Sequence, residues 1–321
     1  MTRPIARPAN VTARTRRRQG TSPLFRSALV MALVITCVLA TPVVVPAVRS
    51  ARAPGGLPAS SDGGGLVAGH TAMSGLASGA CMSFAPSGGK PGKTVFIDPG
   101  HGGLDPGVVG SPGGQQVLEK TVALSVGSRL AALLRRDGYR VVLSRTSDAS
   151  VASLSASDSV TGAMTASAVH RDLVSRTQCA NAASASVLVS IHFDAFDDPS
   201  VGGAETFYDA VRPFSASNRL LATDLQAAVV AALGVTDRGI FTDDELGAPT
   251  LTTSGSLYNH LIELGPAAAG WVDSPSQMPG ALVEPVFLTN PAEARLAGDP
   301  AGQQRIAVAL QRGLIKFLSG A

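Results

Sequence analysis

From residue 93 onward, short apolar runs alternate with longer stretches in which apolar residues recur every three or four positions. The short runs are typical of buried strands, and the longer stretches are typical of helices with one buried face. Strands are predicted at residues 93–98, 140–144, 187–191, 204–208 and 281–287. Helices are predicted at residues 115–136, 171–185 and 218–233, and a last helix is predicted after the N-cap Asp299. This alternation predicts a single α/β domain, a three-layer α/β/α sandwich around a mostly parallel sheet.

The chain before residue 93 has a different character. Residues 54–92 are dominated by Gly, Ser, Ala and Pro without a sustained period, which favours a flexible linker. Residues 1–53 carry nine arginines, no acid and an apolar run at residues 27–48, which is the pattern of an export signal. Small residues near position 51 favour cleavage, and a retained membrane anchor is the alternative. The catalytic domain is therefore expected at residues 93–320.

The net charge of +3 comes from the leader. Without residues 1–53 the chain keeps 17 basic and 23 acidic residues, a net charge of −6, so the composition gives no reason to expect nucleic-acid binding. We expect an exported monomer that meets a membrane only through the N-terminal apolar segment, if that segment is retained. Cys37 lies in the apolar run, and a disulfide between Cys81 and Cys179 is a hypothesis whose alternative is two unpaired thiols.

Two long stretches have weak periodicity. Residues 148–165 are rich in Ser, Ala and Thr and are expected to form a surface insertion. Residues 239–278 include Glu263 and Trp271, and irregular segments of this length in compact domains are often lids or binding walls. We therefore expect part of residues 239–278 to line or cover a substrate groove.

Three residues that can bind a metal ion occur where an α/β sheet would present them together. His101 follows the first predicted strand, Glu119 lies at the start of the next helix in line with its apolar stripe, and His192 follows the strand at residues 187–191. Ligands of open α/β sheets gather at the carboxyl ends of strands. Two imidazoles and one carboxylate, with a fourth position left to water, are the ligand set of a catalytic zinc site. We therefore expect one zinc ion per chain.

Each of these residues also has a purely structural interpretation. His101 could be a solvated loop residue, Glu119 could favour the positive end of a helix, and His192 could be a hydrogen-bonded residue at a strand end. The alignment of Glu119 with an apolar stripe favours the metal, because a carboxylate that faces a core needs a cation or hydrogen-bond donors.

A further carboxylate, Glu284, lies inside an apolar strand, where an unpaired charge would be costly. It could form a buried ion pair with Arg145 or Arg176, or it could face a water molecule at the metal. A nucleophilic serine or cysteine has little support, since no G-x-S-x-G sequence is present and Cys179 lies in a helix without a histidine nearby in sequence.

Four segments carry these residues: TVFIDPGHGGLDPG at residues 94–107, LEKTVAL around Glu119, Arg176 with Ala180-Asn181 before VLVSIHFDA, and Val283-Glu284 before FLTNPAEA. In order and spacing they resemble the zinc-dependent N-acetylmuramoyl-L-alanine amidases over residues 93–319. The sequence departs from the family pattern in two places. Asp194 stands where an Asn is usual, and Pro285-Val286 stand where a small flexible residue is usual after the glutamate.

The resemblance implies that His101, Glu119 and His192 bind zinc and that Glu284 is the catalytic carboxylate. It also implies a hydrolase of the cell wall, which cleaves the amide bond between N-acetylmuramic acid and L-alanine in the stem peptides of peptidoglycan. Two other functions stay open. One is an inactive protein that binds peptidoglycan, and the other is a zinc peptidase that cuts within the stem peptide.

Overall fold

The computed structural model describes residues 65–66, 74–90, 92–246 and 250–320 of the 321-residue chain. The expected leader at residues 1–53 lies outside the described residues. An eight-stranded sheet forms the centre of the domain. Its strands are β1 (Gly65–Leu66), β2 (Ala80–Phe84), β3 (Thr94–Pro99), β4 (Arg140–Arg145), β5 (Val187–Ile191), β6 (Ala204–Tyr208), β7 (Asp237–Thr242) and β8 (Gly280–Glu284). The α-helices are α1 (Glu119–Arg136), α2 (Ala166–Ala182), α3 (Ser215–Leu233), α4 (Pro291–Gly298) and α5 (Pro300–Ser319).

The strands lie in the order β1-β2-β4-β3-β5-β8-β6-β7. The four central strands β4, β3, β5 and β8 are parallel to one another. On one side β6 is antiparallel to β8 and parallel to β7, and on the other side β2 and β1 are added antiparallel. The carboxyl ends of β3, β5 and β8 therefore meet at one edge of the sheet, which is where a site is expected in this class of fold.

The two faces of the sheet are covered by different layers. One face carries residues such as Val95, Ile97 and Val189, which pack with the apolar sides of α1, α3 and α5. The other face carries residues such as Phe96 and Leu188, which pack with α2 and with part of the irregular segment that follows β7. The predicted three-layer α/β/α sandwich around a mostly parallel sheet is confirmed.

The helix boundaries follow from local chemistry. Helix α1 begins at Glu119, later than predicted, because residues 117–118 pair as a short strand with residues 109–110. The N-cap of α5 is Asp299, as predicted, and its side chain accepts a hydrogen bond from the Gly302 amide at 3.0 Å. Helix α4 was not predicted, since it is only eight residues long; its N-cap Asn290 accepts hydrogen bonds from two amides of the first turn.

Strand β2 contradicts part of the linker prediction. Residues 80–84 were expected in a flexible linker, but they form a strand that pairs antiparallel with β4, with Ala80 opposite Arg145 and Phe84 opposite Val141. Ala80, Cys81 and Ser83 are buried. The reason is long-range, because pairing with β4 satisfies the backbone of residues that have little apolar periodicity of their own.

Strand β2 is also joined covalently to the opposite layer. Cys81 and Cys179 form a disulfide with a Cα–Cα distance of 5.6 Å, so the hypothesis of a bridge is confirmed. Cys179 lies in α2, one turn after Arg176. The bridge therefore fixes the edge of the sheet to the helix that covers its second face.

The two segments of weak periodicity differ in structure. The first residues of the segment 239–278 belong to β7, and its other described residues are irregular apart from a short 3-10 turn (Asp243–Leu246) and two-residue strands. The stretch 148–165 is largely at the surface, but Val151 and Ala152 are buried, and Ala152 bridges to Leu76. Within the described ranges, none of the helices is long and apolar enough to cross a membrane.

Removing the bridge should destabilise the domain. Replacing both Cys81 and Cys179 by Ala frees a loop of 98 residues in the unfolded chain, and we expect the free energy of unfolding to fall by about 2–4 kcal/mol. Denaturant unfolding at pH 7 measures the change. A reductant should lower the stability of the natural chain and leave the double variant unaffected. Equal midpoints for the natural chain and the double variant would contradict the prediction.

Candidate metal centre

The side chains of His101, Glu119 and His192 converge at the carboxyl edge of the sheet. His101 Nε2 lies 2.9 Å from Glu119 Oε1, and His192 Nδ1 lies 3.1 Å from both of these atoms. The two imidazole rings meet edge to face with centroids 4.8 Å apart. All three side chains are largely shielded from solvent. The structure therefore brings together the three residues that the sequence singles out.

Each ligand candidate is positioned by a different element. His101 follows β3 in a turn, Glu119 is the first residue of α1, and His192 follows β5 directly and donates its amide to the Val283 carbonyl of β8. Glu119 is only 1% exposed. Its second oxygen, Oε2, accepts a hydrogen bond from the Val108 amide at 2.7 Å, and Oε1 accepts one from the Phe193 amide at 2.9 Å.

The turn after β3 explains the glycines of the first motif. His101 itself has a φ of 60°, a left-handed conformation that is uncommon outside glycine and is often found at functional sites. Gly107 also has a positive φ, and a Cβ there would lie 2.5 Å from Glu119 Oε2. A Cβ on Gly100 would lie 2.3 Å from the His192 ring. The backbone thus approaches the three side chains too closely for any larger residue.

Asp105 orients His101, and sequence reasoning did not identify it. Its Oδ2 lies 2.7 Å from His101 Nδ1, and its Oδ1 accepts a hydrogen bond from the Gly107 amide. A carboxylate on the outer ring nitrogen fixes the tautomer that leaves Nε2 free to bind a metal. The sequence signal that could have identified Asp105 is its position four residues after His101 in the same motif.

The charges of this centre are strongly coupled. Burial lowers the pKa of His101, but the carboxylates of Glu119 and Asp105 outweigh it and raise that pKa to about 10. Burial raises the pKa of Glu119, but the charge of His101 and hydrogen bonds from both histidines bring it well below its usual value. The buried carboxylate therefore attracts positive charge, from protons or from a metal ion.

Two buried arginines hold the turn that carries His101. Arg145 donates to the carbonyl oxygens of Pro99 and Gly100, both at 2.8 Å. Arg176 donates to the carbonyl of Pro99 at 3.1 Å and to that of His101 at 2.8 Å. Neither arginine pairs with Glu284, so the ion-pair alternative for that carboxylate is wrong for these two partners.

Acidic residues compensate the charge of Arg176. Its guanidinium lies 2.7 Å from Asp98 Oδ1 and 2.8 Å from Asp172 Oδ2. Burial raises the pKa of Asp98, but Arg176 and the hydroxyls of Ser144 and Ser190 lower it to about 2. Asp98 is thus ionised at neutral pH, and α2 is locked to the end of β3.

Glu284 ends β8 and lies among other buried carboxyl groups. Oxygens of Glu284, Asp194 and Glu205 all lie within 4.8 Å of one another, and Glu284 is only 2% exposed. Arg238 pairs with Glu205 at 2.7 Å, whereas Glu284 Oε2 has no hydrogen-bond partner among the described residues. Burial, followed by the charges of Glu205 and Glu119, raises the pKa of Glu284 well above its usual value. The nearby His101 acts in the opposite direction.

A small cavity opens beside the metal ligands. His101 and His192 line it together with Arg176, Leu173 and Glu263. Glu263 belongs to the irregular segment after β7 and is buried, and its Oε2 has no hydrogen-bond partner among the described residues. That segment therefore forms one wall of the cavity. That part of residues 239–278 lines a substrate groove stays a prediction.

Comparisons with known proteins identify the family of the chain. A family model described as N-acetylmuramoyl-L-alanine amidase matches residues 95–316. The amidase AmiA of Salmonella typhimurium is 31% identical over 243 residues, which cover 70% of this chain and 76% of that protein. The germination-specific N-acetylmuramoyl-L-alanine amidase of Bacillus subtilis is 30% identical over 229 residues, with 71% and 81% covered.

Solved structures show the same fold. The N-acetylmuramoyl-L-alanine amidase of Clostridium difficile 630 superposes with a TM-score of 0.52 at 28% identity, covering 72% of this chain and 98% of that one. The CwlD amidase of Clostridioides difficile, solved in complex with the GerS lipoprotein, gives a TM-score of 0.55 at 25% identity, covering 71% and 100%.

Removing the arginine that holds the His101 turn should be costly. Replacing Arg176 by Met leaves Asp98 and Asp172 buried without their cation, so we expect the free energy of unfolding at pH 7 to fall by about 3–5 kcal/mol. Urea unfolding of the natural chain and of the variant measures this change in the free energy of unfolding. The matched control is Arg171→Met on the same helix, where the lost ion pair with Asp158 is at the surface and the change should be much smaller. Equal losses in the two variants would refute the proposed function of Arg176.

Proposed function

Since the chain belongs to the N-acetylmuramoyl-L-alanine amidase family, we propose that it hydrolyses the amide bond between N-acetylmuramic acid and L-alanine in peptidoglycan. We propose that the reaction depends on one zinc ion held by His101, Glu119 and His192. The observation that carries the proposal is the convergence of these three side chains at the edge of the sheet.

The donor set and its spacing fit zinc. Two imidazole nitrogens and one carboxylate oxygen are typical ligands of a catalytic zinc ion. Zinc bonds of about 2.0–2.2 Å in a tetrahedron require ligand atoms about 3.3–3.6 Å apart. The separations of 2.9–3.1 Å differ from this by a few tenths of an ångström, which small side-chain rotations supply. Zinc would supply a Lewis acid for the scissile carbonyl and for the attacking water.

Glu284 is proposed as the group that moves the proton. It would accept a proton from the attacking water and deliver it to the nitrogen of the leaving L-alanine. Such a group must both bind and release a proton at the working pH, which a carboxyl with an ordinary pKa does poorly. Burial and the neighbouring carboxylates raise the pKa of Glu284, which is the direction that this function needs. Water attack needs no covalent intermediate with the chain.

The surroundings of the site suit an extended substrate. The cavity beside the metal ligands is bounded by Glu263 on one side. A second groove is lined by Gly110, Phe196 and Leu288, from segments adjoining Val108 and Phe193, whose amides bind Glu119. We propose that the substrate lies along these two depressions, with the scissile amide at the metal.

We propose that the catalytic unit extends from β2 to the end of α5 and acts outside the cytoplasm. The disulfide between Cys81 and Cys179 supports an oxidising compartment, and the basic, apolar residues 1–53 support export. The net charge of −6 for the remainder is compatible with a protein that works on the cell wall.

A digest of purified peptidoglycan tests the activity. Analysed by mass spectrometry, the products of an amidase are intact stem peptides with free L-alanine amino termini. Shortened peptides would instead identify a zinc peptidase, and a chain that binds the wall without releasing products would be a binding protein. Either of these two results overturns the proposal.

Substituting Glu284 tests the proton transfer separately from metal binding. Glu284→Gln keeps the volume of the side chain and removes its basic oxygen, so we expect turnover to fall about 100-fold or more while zinc stays bound. Turnover on peptidoglycan and the zinc content at the His101 site are the two measurements. His101→Ala is the contrasting variant, and it should lose zinc and activity together.

Two outcomes would contradict this assignment. Loss of zinc in Glu284→Gln would make Glu284 a ligand. Near-normal turnover would place the base elsewhere, and Glu263→Gln, which alters a buried carboxylate that lines the cavity beside His101 and His192, would then be the variant to compare.

A further inference from the structure

A second group of possible metal ligands lies outside the candidate catalytic site. Asp209 directly follows β6, Asp243 directly follows β7, and His260 belongs to the irregular segment between β7 and β8. Ligand atoms of these three residues all lie within 4.8 Å of one another. Asp209 and Asp243 are buried, and the side chain of His260 is 18% exposed.

The carboxylates of Asp209 and Asp243 both contact the Nδ1 atom of His260. His260 Nδ1 lies 3.1 Å from Asp209 Oδ2 and 3.2 Å from Asp243 Oδ1. Nδ1 carries at most one hydrogen, and the hydrogen-bond geometry gives it to Asp243. Asp209 Oδ2 is buried and has no hydrogen-bond partner among the described residues. An unpartnered carboxylate oxygen therefore faces the centre of this group, where a buried polar atom is costly.

The other oxygen of each carboxylate is already occupied by backbone. Asp209 Oδ1 accepts hydrogen bonds from the amides of Val211 and Arg212, and Asp243 Oδ2 accepts one from the amide of Leu261. These bonds orient Asp209 Oδ2 and Asp243 Oδ1 toward His260. Such prior orientation of ligand side chains is a feature of metal sites in proteins.

Among the described residues, neither a lysine nor an arginine forms an ion pair with Asp209 or Asp243. The guanidinium of Arg212 is directed to the carbonyl oxygens of Gly265 and Ser276, and only its backbone amide contacts Asp209. The two carboxylates repel each other, and a dication between them would remove the repulsion.

We propose that Asp209, Asp243 and His260 form a second metal site, which binds a divalent transition ion such as Zn²⁺. The set of one imidazole and two carboxylates favours a transition ion over Ca²⁺ or Mg²⁺, which prefer oxygen ligands alone. Three protein ligands leave a further position to water. The separations of 3.1 and 3.2 Å match those at the catalytic site, where the ligand atoms are 2.9–3.1 Å apart. This ion is additional to the single zinc expected from the sequence.

The position of the site indicates a structural function. The ion would join the ends of β6 and β7 to the segment that contains His260. Glu263, three residues after His260, forms one wall of the catalytic cavity. Binding of the second ion would therefore fix the wall of the cavity without contacting the substrate.

Metal content of the full chain tests the proposal. The chain is stripped with a chelator, reloaded with Zn²⁺ and dialysed, and its zinc is measured by mass spectrometry of the element. Asp243→Asn is expected to hold about one zinc fewer per chain than the natural protein, or to bind that zinc at least tenfold more weakly. The matched control is Asp244→Asn, which changes the exposed neighbouring carboxylate and should bind as much zinc as the natural chain. His260→Gln provides a second variant if Asp243→Asn does not fold.

The proposal is tested by the difference in zinc content between the natural chain and its variants, and not by the total zinc content of the natural chain. If the catalytic site failed to bind zinc, the natural chain would hold one zinc and Asp243→Asn none, so the two proposals fail separately. Hydrogen exchange gives an independent measurement, since Zn²⁺ should slow exchange of the Leu261 and Gly265 amides in the natural chain and not in Asp243→Asn. Equal zinc content in the natural chain and in both the Asp243 and His260 variants would overturn the proposal. Exchange that is unaffected by Zn²⁺ would overturn it as well.

Discussion

The candidate catalytic site depends on two guanidinium groups that hold three successive backbone carbonyls. At the end of β3 the chain leaves the sheet, and the carbonyl oxygens of residues 99–101 need other hydrogen-bond donors. Arg145 and Arg176 supply donors to all three. Like charges buried side by side are costly, and burial with the charge of Arg176 lowers the pKa of Arg145 to about 10. Arg145 still remains charged at neutral pH. The carboxylates of Asp98 and Asp172 beside Arg176 offset the repulsion between the two buried guanidinium groups. His101 can therefore keep a left-handed backbone.

The elements that could be predicted from the sequence are those whose burial is regular. Strands β5 and β6 coincide with their predicted bounds, because each is a continuous or alternating apolar run closed by polar residues. The ligand candidates could be predicted because they follow such strands or continue an apolar helical stripe. The pattern of apolar residues within one element was enough to predict that element wherever the pattern alone shows which side is buried.

The features that could not be predicted are those that depend on a distant partner. Strand β2 forms because it pairs with β4 and is bonded to Cys179, whereas the sequence around it resembles a linker. The sequence offered Arg145 and Arg176 as partners of a carboxylate in β8, and it contains nothing that would direct them to backbone carbonyls instead. The grouping of Glu284 with Asp194 and Glu205 likewise follows from the antiparallel pairing of β6 with β8, whose register places Glu205 opposite Glu284. Strand direction of this kind is not encoded in the alternation of apolar residues.

The bridge between β2 and α2 also determines how the domain would respond to a mechanical load. If the N-terminal residues were held by a membrane while the domain was bound to a stiff wall, tension would reach β2 after the contacts of β1 and Leu76 that precede it. Cys81 is the second residue of that strand, so the covalent bond carries the tension directly into α2. The hydrogen bonds that pair residues 82–84 with β4 then bear little of it. A strand held by hydrogen bonds alone would separate from the sheet at lower force, whereas here the pull is transferred to a helix that is anchored by a buried ion-pair network.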